Sequence, residues 1–173
     1  MEQVFNGKGR QFPLETVIGI AEQCIDMLEK VHSYNMVHRD IKPENFMIGY
    51  NWNDRKKIYI ADFGFAMPWK DEETDEHNEF CEGMPSVGTL RYETINSMKH
   101  YLLSRRDDLE SMGHVFIYFL KGGKLPWMGL NPDVSIEEQT KLILKCKEET
   151  TIDKLCEGLP KQFCEYQKYC RNL

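Results

Sequence analysis

The chain has 173 residues, enough for one ordinary domain with a buried core, and 41% of them are apolar and 29% charged. At a formal net charge of -6 (22 Lys and Arg against 28 Asp and Glu) that apolar fraction excludes a disordered chain. The acidic balance also excludes general affinity for nucleic acid, which needs a basic face, but not a local basic site. The opening residues Met1-Glu2-Gln3-Val4-Phe5-Asn6 have neither a basic start nor an apolar run, so they do not read as a signal peptide. Gly7-Lys8-Gly9 has no third glycine in place and no strand before it, and reads as a helix-to-helix turn rather than a phosphate loop.

Residues 14–34 predict an amphipathic helix. Val17, Ile20, Ala21, Cys24, Leu28 and Val31 recur at three- and four-residue steps, with Glu15, Glu22, Glu29 and Lys30 off that stripe and Pro13 suited to its start. Two β-like pieces follow, Phe46-Met47-Ile48 and Ile58-Tyr59-Ile60-Ala61, separated by the polar turn from Asn51 to Lys57, and predict a hairpin. Residues 66–90 are irregular and carry an acid run, a loop length that usually signals function or mobility. Residues 107–121 predict a helix that is apolar nearly all round in its second half, which belongs at the centre of a core and ends at Gly122-Gly123. Residues 135–149 and 160–172 predict two more amphipathic helices. The longest apolar run, from Val115 to Leu120, falls far short of the ~20 residues a membrane span needs. The six cysteines form no CxxC pair and read as reduced thiols, with a cytoplasmic or nuclear location expected.

The chemistry concentrates in His38-Arg39-Asp40-Ile41-Lys42-Pro43-Glu44-Asn45, followed after the hairpin by Asp62-Phe63-Gly64. Phosphoryl transfer from a nucleotide needs a carboxylate to orient the attacking hydroxyl, a cation on the moving phosphoryl group and oxygen ligands for magnesium. Asp40 can be that carboxylate, and Lys42, two residues on, can reach the same phosphoryl group. Asn45 offers a neutral oxygen ligand and Asp62 a charged one. The hairpin folds the chain back so that both can face one metal. A lone Asp in a loop is usually a turn or cap residue, and a lone Lys is usually solvated. The ordered set of HRDxKxxN, hairpin and DFG is far more specific.

With these motifs the chain resembles the lower lobe of a eukaryotic Ser/Thr protein kinase, and more closely the casein kinase I family. The closer likeness is carried by Val87-Gly88-Thr89-Leu90-Arg91-Tyr92 and by Thr94-Ile95-Asn96, which stands where most kinases have Ala-Pro-Glu. It is carried further by residues 104–111 (SRRDDLES), 125–130 (LPWMGL) and 155–160 (LCEGLP). The resemblance implies a mainly α domain over residues 1–173, a kinase C-lobe with a small β-hairpin, truncated at both ends and without the β-rich upper lobe. It implies Asp40 as catalytic base, Lys42 on the transferred phosphate, Asn45 and Asp62 as magnesium ligands, and Thr89 bonded to Asp40 and Lys42. Asp108 would brace the loop of His38, Arg39 and Asp40 through its backbone N–H groups, a role compatible with the plainer reading of a helix N-cap. ATP and Mg2+ are the implied cofactors, and proteins with Ser or Thr hydroxyls the implied partners. Neither nucleic acid nor membrane is expected as a partner.

Three departures shape the expectations. The Gly-rich phosphate cover and the ATP-anchoring Lys of the upper lobe have no counterpart in the chain, so a missing lobe or partner chain is implied, with weak nucleotide binding and little turnover alone. The acid run Asp71, Glu72, Glu73, Asp75, Glu76, Glu79 and Glu82 suggests that one carboxylate replaces an activating phosphate beside Arg39, against the plain reading of a solvated loop. Arg91 and Gly129 match part of the family's basic substrate site, but residues 131–138 after it carry Asp133, Glu137 and Glu138 where the family is Lys-rich; those acids would repel a phosphate, which argues against a preference for phosphorylated substrates and leaves that preference open. A non-catalytic kinase-like substrate-binding or scaffold module remains the alternative to an enzyme.

Overall fold

A computed structural model describes residues 1–51, 54–131 and 133–173. Trp52 and Asn53 of the expected turn, and Pro132, lie outside the described residues. The fold is helix-rich with short strands, as the periodicity predicts. Helix α1 (Glu2–Gly7) leads through a turn at Gly9 and Arg10, both at positive φ, into α2 (Leu14–Ser33). Val17, Ile20, Cys24 and Leu28 form the buried face of α2. Glu15 in its first turn and Lys30 and His32 in its last oppose the helix dipole at the ends where each sign is favourable. Asn35, at φ 60°, stops the helix and turns the chain into strand β1 (Met36–Val37).

The expected hairpin is β2 (Phe46–Ile48) and β3 (Ile58–Ile60), antiparallel with Phe46 opposite Ile60 and Met47 opposite Tyr59. A second pair escapes a reading by periodicity because each strand has two residues. There β1 pairs with β4 (Met67–Pro68), Val37 opposite Met67, so one small hairpin is corrected to two short ladders. Asn35 reinforces this pair, donating to Lys70 O at 3.0 Å and accepting from Lys70 N at 3.0 Å. The stretch 66–90 is largely irregular yet anchored, with Lys70 bridging His77 and Glu82 bridging Tyr101.

Two short helices, α3 (Ile95–Met98) and α6 (Ile152–Leu155), join the longer α4 (Arg105–Leu120), α5 (Ile136–Glu149) and α7 (Lys161–Asn172). Helix α4 begins two residues before its predicted start because Ser104 caps it, the Ser104 N–H donating to Asp107 Oδ2 at 2.9 Å. Its second half, from Val115 to Phe119, is buried on every side, and it packs against both α2 and α7. Arg171 of α7 grips Glu110 of α4 through Nε at 2.9 Å and Nη2 at 2.6 Å. Phe5 and Phe12 stack on Phe119 at 4.9 and 5.2 Å between ring centroids, and Arg10 donates to Tyr118 Oη at 2.8 Å and Gly123 O at 3.0 Å. A side chain at Gly123, whose φ is 77°, would meet Arg10 Nη2 at 2.2 Å, so that helix exit requires glycine.

Among the described residues, no helix is long and apolar enough to cross a membrane. Phe119→Ala removes the ring on which Phe5 and Phe12 converge and is expected to cost about 3–5 kcal/mol, read as a lower denaturant midpoint at unchanged slope.

Candidate active site

The loop from His38 to Asn45 is shaped from beneath by Asp108, in the first turn of α4. Its Oδ2 accepts from the His38 N–H at 2.8 Å and its Oδ1 from the Arg39 N–H at 2.9 Å, while His32 Nε2 lies 2.9 Å from Oδ2. Ser104 is the cap of α4, so Asp108 is a brace rather than an N-cap. Arg39 has φ 66°, a conformation that a non-glycine residue keeps only when its surroundings enforce it. The paired N–H bonds to one buried carboxylate supply that enforcement.

Asp40 is buried, and donors approach both of its oxygens. Thr89 Oγ1 donates to Oδ1 at 3.0 Å, Lys42 Nζ to Oδ2 at 2.5 Å, and Asn45 Nδ2 to Oδ2 at 3.3 Å and to Asp40 O at 2.9 Å. Asn45, in the 3-10 turn Pro43–Asn45, spends its Nδ2 on these bonds and leaves Oδ1 outside them. Ala61 N–H donates to Asn45 O at 2.9 Å and Ala61 O lies 3.0 Å from His38 Nε2, so Asp62 starts one residue beyond a backbone tie to both Asn45 and His38. Asp62, at φ 66°, is exposed, and its Oδ1 accepts from Gly64 N–H at 3.3 Å. Phe63 packs on His38 with centroids 5.0 Å apart. Thus Asp40, Lys42, Asn45 and Thr89 form one cluster, with Asp62 tethered at its edge.

Gly88 is a site residue the motif reading passed over. At φ 106° it comes so close to the loop that a Cβ would lie 2.8 Å from Arg39 O and 3.6 Å from Asp40 Oδ1. Glycine there lets the Thr89 hydroxyl reach Asp40. Glu93 is a second. Burial pushes its carboxyl pKa up, opposed by hydrogen bonds from Ser86 Oγ at 2.9 Å and Ser97 Oγ at 3.2 Å. Thr94 Oγ1 and Asn96 Nδ2 both donate to Asp107 Oδ1 at 2.9 Å, which gives the Thr-Ile-Asn segment a physical purpose.

Two expectations meet the structure differently. Arg39 does not pair with the acid run among the described residues. Its Nε donates to Phe65 O at 2.5 Å, and burial lowers its pKa against the opposing pull of Asp108. The acids serve their own loop instead. Asp71 accepts from the Glu73 and Thr74 N–H groups at 2.9 and 2.8 Å, and Asp75 pairs with Lys70. Arg91 and Gly129 do line one groove of about 380 Å³, with Thr89, Leu90, Trp127 and Ile143. The Arg91 guanidinium, however, lies over the rings of Tyr92 and Tyr118, at 5.7 and 5.5 Å from their centroids.

The described residues contain no group of three or more His, Cys, Asp or Glu side chains fit to hold a metal unaided. Two oxygen donors, Asn45 Oδ1 and the exposed Asp62 carboxylate, suit a magnesium ion that takes its other ligands from water and phosphate. Residues 1–172 match the protein kinase domain family, and the chain belongs to it. Over 174 aligned residues it is 44% identical to casein kinase I homolog 3 of Schizosaccharomyces pombe, covering all of this chain and 39% of that protein. It is 41% identical to casein kinase I homolog 2 of the same yeast, covering all of this chain and 40% of that protein. The chain therefore spans about two-fifths of the length of these curated relatives.

Asp108→Ala leaves the His38 and Arg39 N–H groups without their acceptor. It is expected to destabilise by about 3 kcal/mol and to speed amide exchange first at those two residues, whereas Asp108→Asn keeps one acceptor and loses less.

Proposed function

We propose that this chain is the substrate-binding C-terminal lobe of a Ser/Thr protein kinase of casein kinase I type, which moves the ATP γ-phosphoryl group to protein Ser or Thr hydroxyls. The observation that carries this reading is the Asp40 carboxylate, buried and oriented by Thr89, Lys42 and Asn45 together. Asp40 would accept the proton of the substrate hydroxyl as that oxygen attacks. Lys42 holds its positive charge within reach of both Asp40 and the arriving phosphoryl group. Thr89 keeps the carboxylate from rotating away from the hydroxyl. Asn45 Oδ1 and Asp62 would hold magnesium, which neutralises phosphate charge when bound.

An upper lobe or partner chain has a surface to close on. Met47 and Tyr59 are cross-strand neighbours on the outer face of the hairpin, 56% and 46% exposed, and Phe63 beside Asp62 is 46% exposed. Tyr59 and Phe63 continue into an apolar groove of about 590 Å³ with Met27, Val31, Met36 and Ile60. With that surface uncovered, the chain alone binds nucleotide weakly and turns over little.

Calorimetry with Mg-ATP is expected to give weak binding that Asp62→Ala abolishes. Transfer of labelled phosphate to a Ser peptide, measured beside a fusion to a family upper lobe, is expected to rise in the fusion and to fall at least ~100-fold in Asp40→Asn. A fusion that neither binds nor transfers sinks the reading, and peptide binding without nucleotide binding favours a non-catalytic substrate module. With Arg91 turned onto two rings and acids following Gly129, matched peptides with and without an upstream phosphoserine are expected to be used equally. A tenfold or greater preference for the phosphorylated one would restore a basic substrate site.

A further inference from the structure

The turn that carries Thr89 is gripped from behind by three side chains outside the Asp40 cluster. Four consecutive backbone carbonyls, residues 90–93, each have a side-chain partner. Lys147 Nζ donates to Leu90 O at 2.7 Å and to Glu93 O at 2.6 Å. Trp127 Nε1 donates to Arg91 O at 2.8 Å, and His114 Nδ1 lies 3.0 Å from Tyr92 O, which can only accept. On the other side of the turn, the Tyr92 and Glu93 N–H groups donate to Thr89 O at 2.8 and 3.1 Å. The three side chains also touch one another. Lys147 Nζ lies 4.9 Å from the Trp127 ring centroid, and His114 meets the same ring edge-on at 5.1 Å. All three are nearly inaccessible, at 2%, 3% and 1% exposure for Lys147, Trp127 and His114.

A loop usually satisfies its carbonyls with water, and an ammonium group is costly to bury. Here α5 donates a buried Lys to backbone oxygens, at the position where the apolar stripe of Ile143 would continue. We propose that Lys147, Trp127 and His114 are positioning residues that clamp the 89–93 turn, so that Thr89 Oγ1 stays on Asp40. The consequence at Asp40 rests on the phosphoryl-transfer reading, whereas the clamp itself does not.

The clamp has a pH signature. Burial pushes the Lys147 pKa down to about 7, against Glu93 of the turn and Glu110 of α4, with Arg171 of α7 adding to the fall and Cys146 of its own helix opposing it. His114, also facing it from α4, is pushed down by burial to about 3 and stays neutral near pH 7. Opening the turn to water returns the amine toward its ordinary 10.5. The open form then binds more protons between about 7 and 10.5, so closure strengthens as pH rises through that window, by up to about tenfold per unit. Glu93, raised by burial, has the opposite sign at lower pH, where its extra proton in the closed form favours closure until it is lost.

The test is amide exchange at Tyr92 and Glu93 in the full chain, corrected for intrinsic rates, between about pH 6 and pH 9, with residues 38–45 followed alongside. Protection of the two amides is expected to climb with pH above neutrality in the unmodified chain. Lys147→Met is expected to lower it at least tenfold and to erase the climb. His114→Ala, which removes only the Tyr92 O bond, should lower protection several-fold and keep the climb, and it carries the test if Lys147→Met does not fold. An identical climb in Lys147→Met, undiminished protection in His114→Ala, or equal loss across all residues would overturn the clamp. Mg-ATP binding by the unmodified chain is measured separately, and its absence counts against phosphoryl transfer while leaving the exchange result standing.

Discussion

The Asp108 carboxylate stands between the deeply buried helix α4 and the loop that carries the candidate catalytic residues. It is fixed by the first turn of α4, and its two oxygens take the N–H groups of His38 and Arg39 at 2.8 and 2.9 Å. Those bonds hold Arg39 at a positive φ, and that local twist turns the chain toward Asp40. Without them the loop would relax toward ordinary backbone angles and Asp40 would lose its register with Thr89. The cluster thus inherits its rigidity from the core, because α4 cannot shift without disturbing α2 and α7.

The second constraint comes from the opposite direction. Gly88 brings its strand of chain against Arg39 O, and Thr89 completes the approach by its hydroxyl bond to Asp40. The segment that follows satisfies its carbonyls with side chains rather than water, and Thr94 and Asn96 tie it onward to Asp107. Adjacent carboxylates, Asp107 and Asp108, therefore serve the two sides of the same cleft. One holds the segment from Thr94 to Asn96 and the other the loop of His38 and Arg39, so a single helical turn sets their relative height.

Much of this is legible in residue patterns, and the exceptions have physical reasons. Helices α2, α4, α5 and α7 fall within two residues of their predicted ranges, because each carries several turns of periodic apolar residues. Strands β1 and β4 are too short to show any period, and only the Asn35 and Trp69 bonds reveal why they pair. The motif residues Asp40, Lys42 and Asn45 meet in space as their spacing suggests, and Thr89 joins Asp40 as the family resemblance implies. The acid run misleads because charge alone does not say whether a carboxylate seeks a distant guanidinium or the amides of its own turn, and the nearer amides win at Asp71. Lys147 looks like one more surface lysine of an amphipathic helix. The clue lies in its place four residues after buried Ile143, on the stripe that should be apolar.

The tie from Ala61 N–H to Asn45 O has a consequence for how the fold tolerates change. The two candidate ion-holding residues, 17 apart in the chain, are spaced by a main-chain ladder at the inner end of the hairpin and not by the connection at its tip. Lengthening or shortening the link between Ile48 and Ile58 alters only the outer end. The interval between Asn45 and Asp62 is thereby insulated from drift in loop length, and the tip is free to acquire insertions that serve some other purpose.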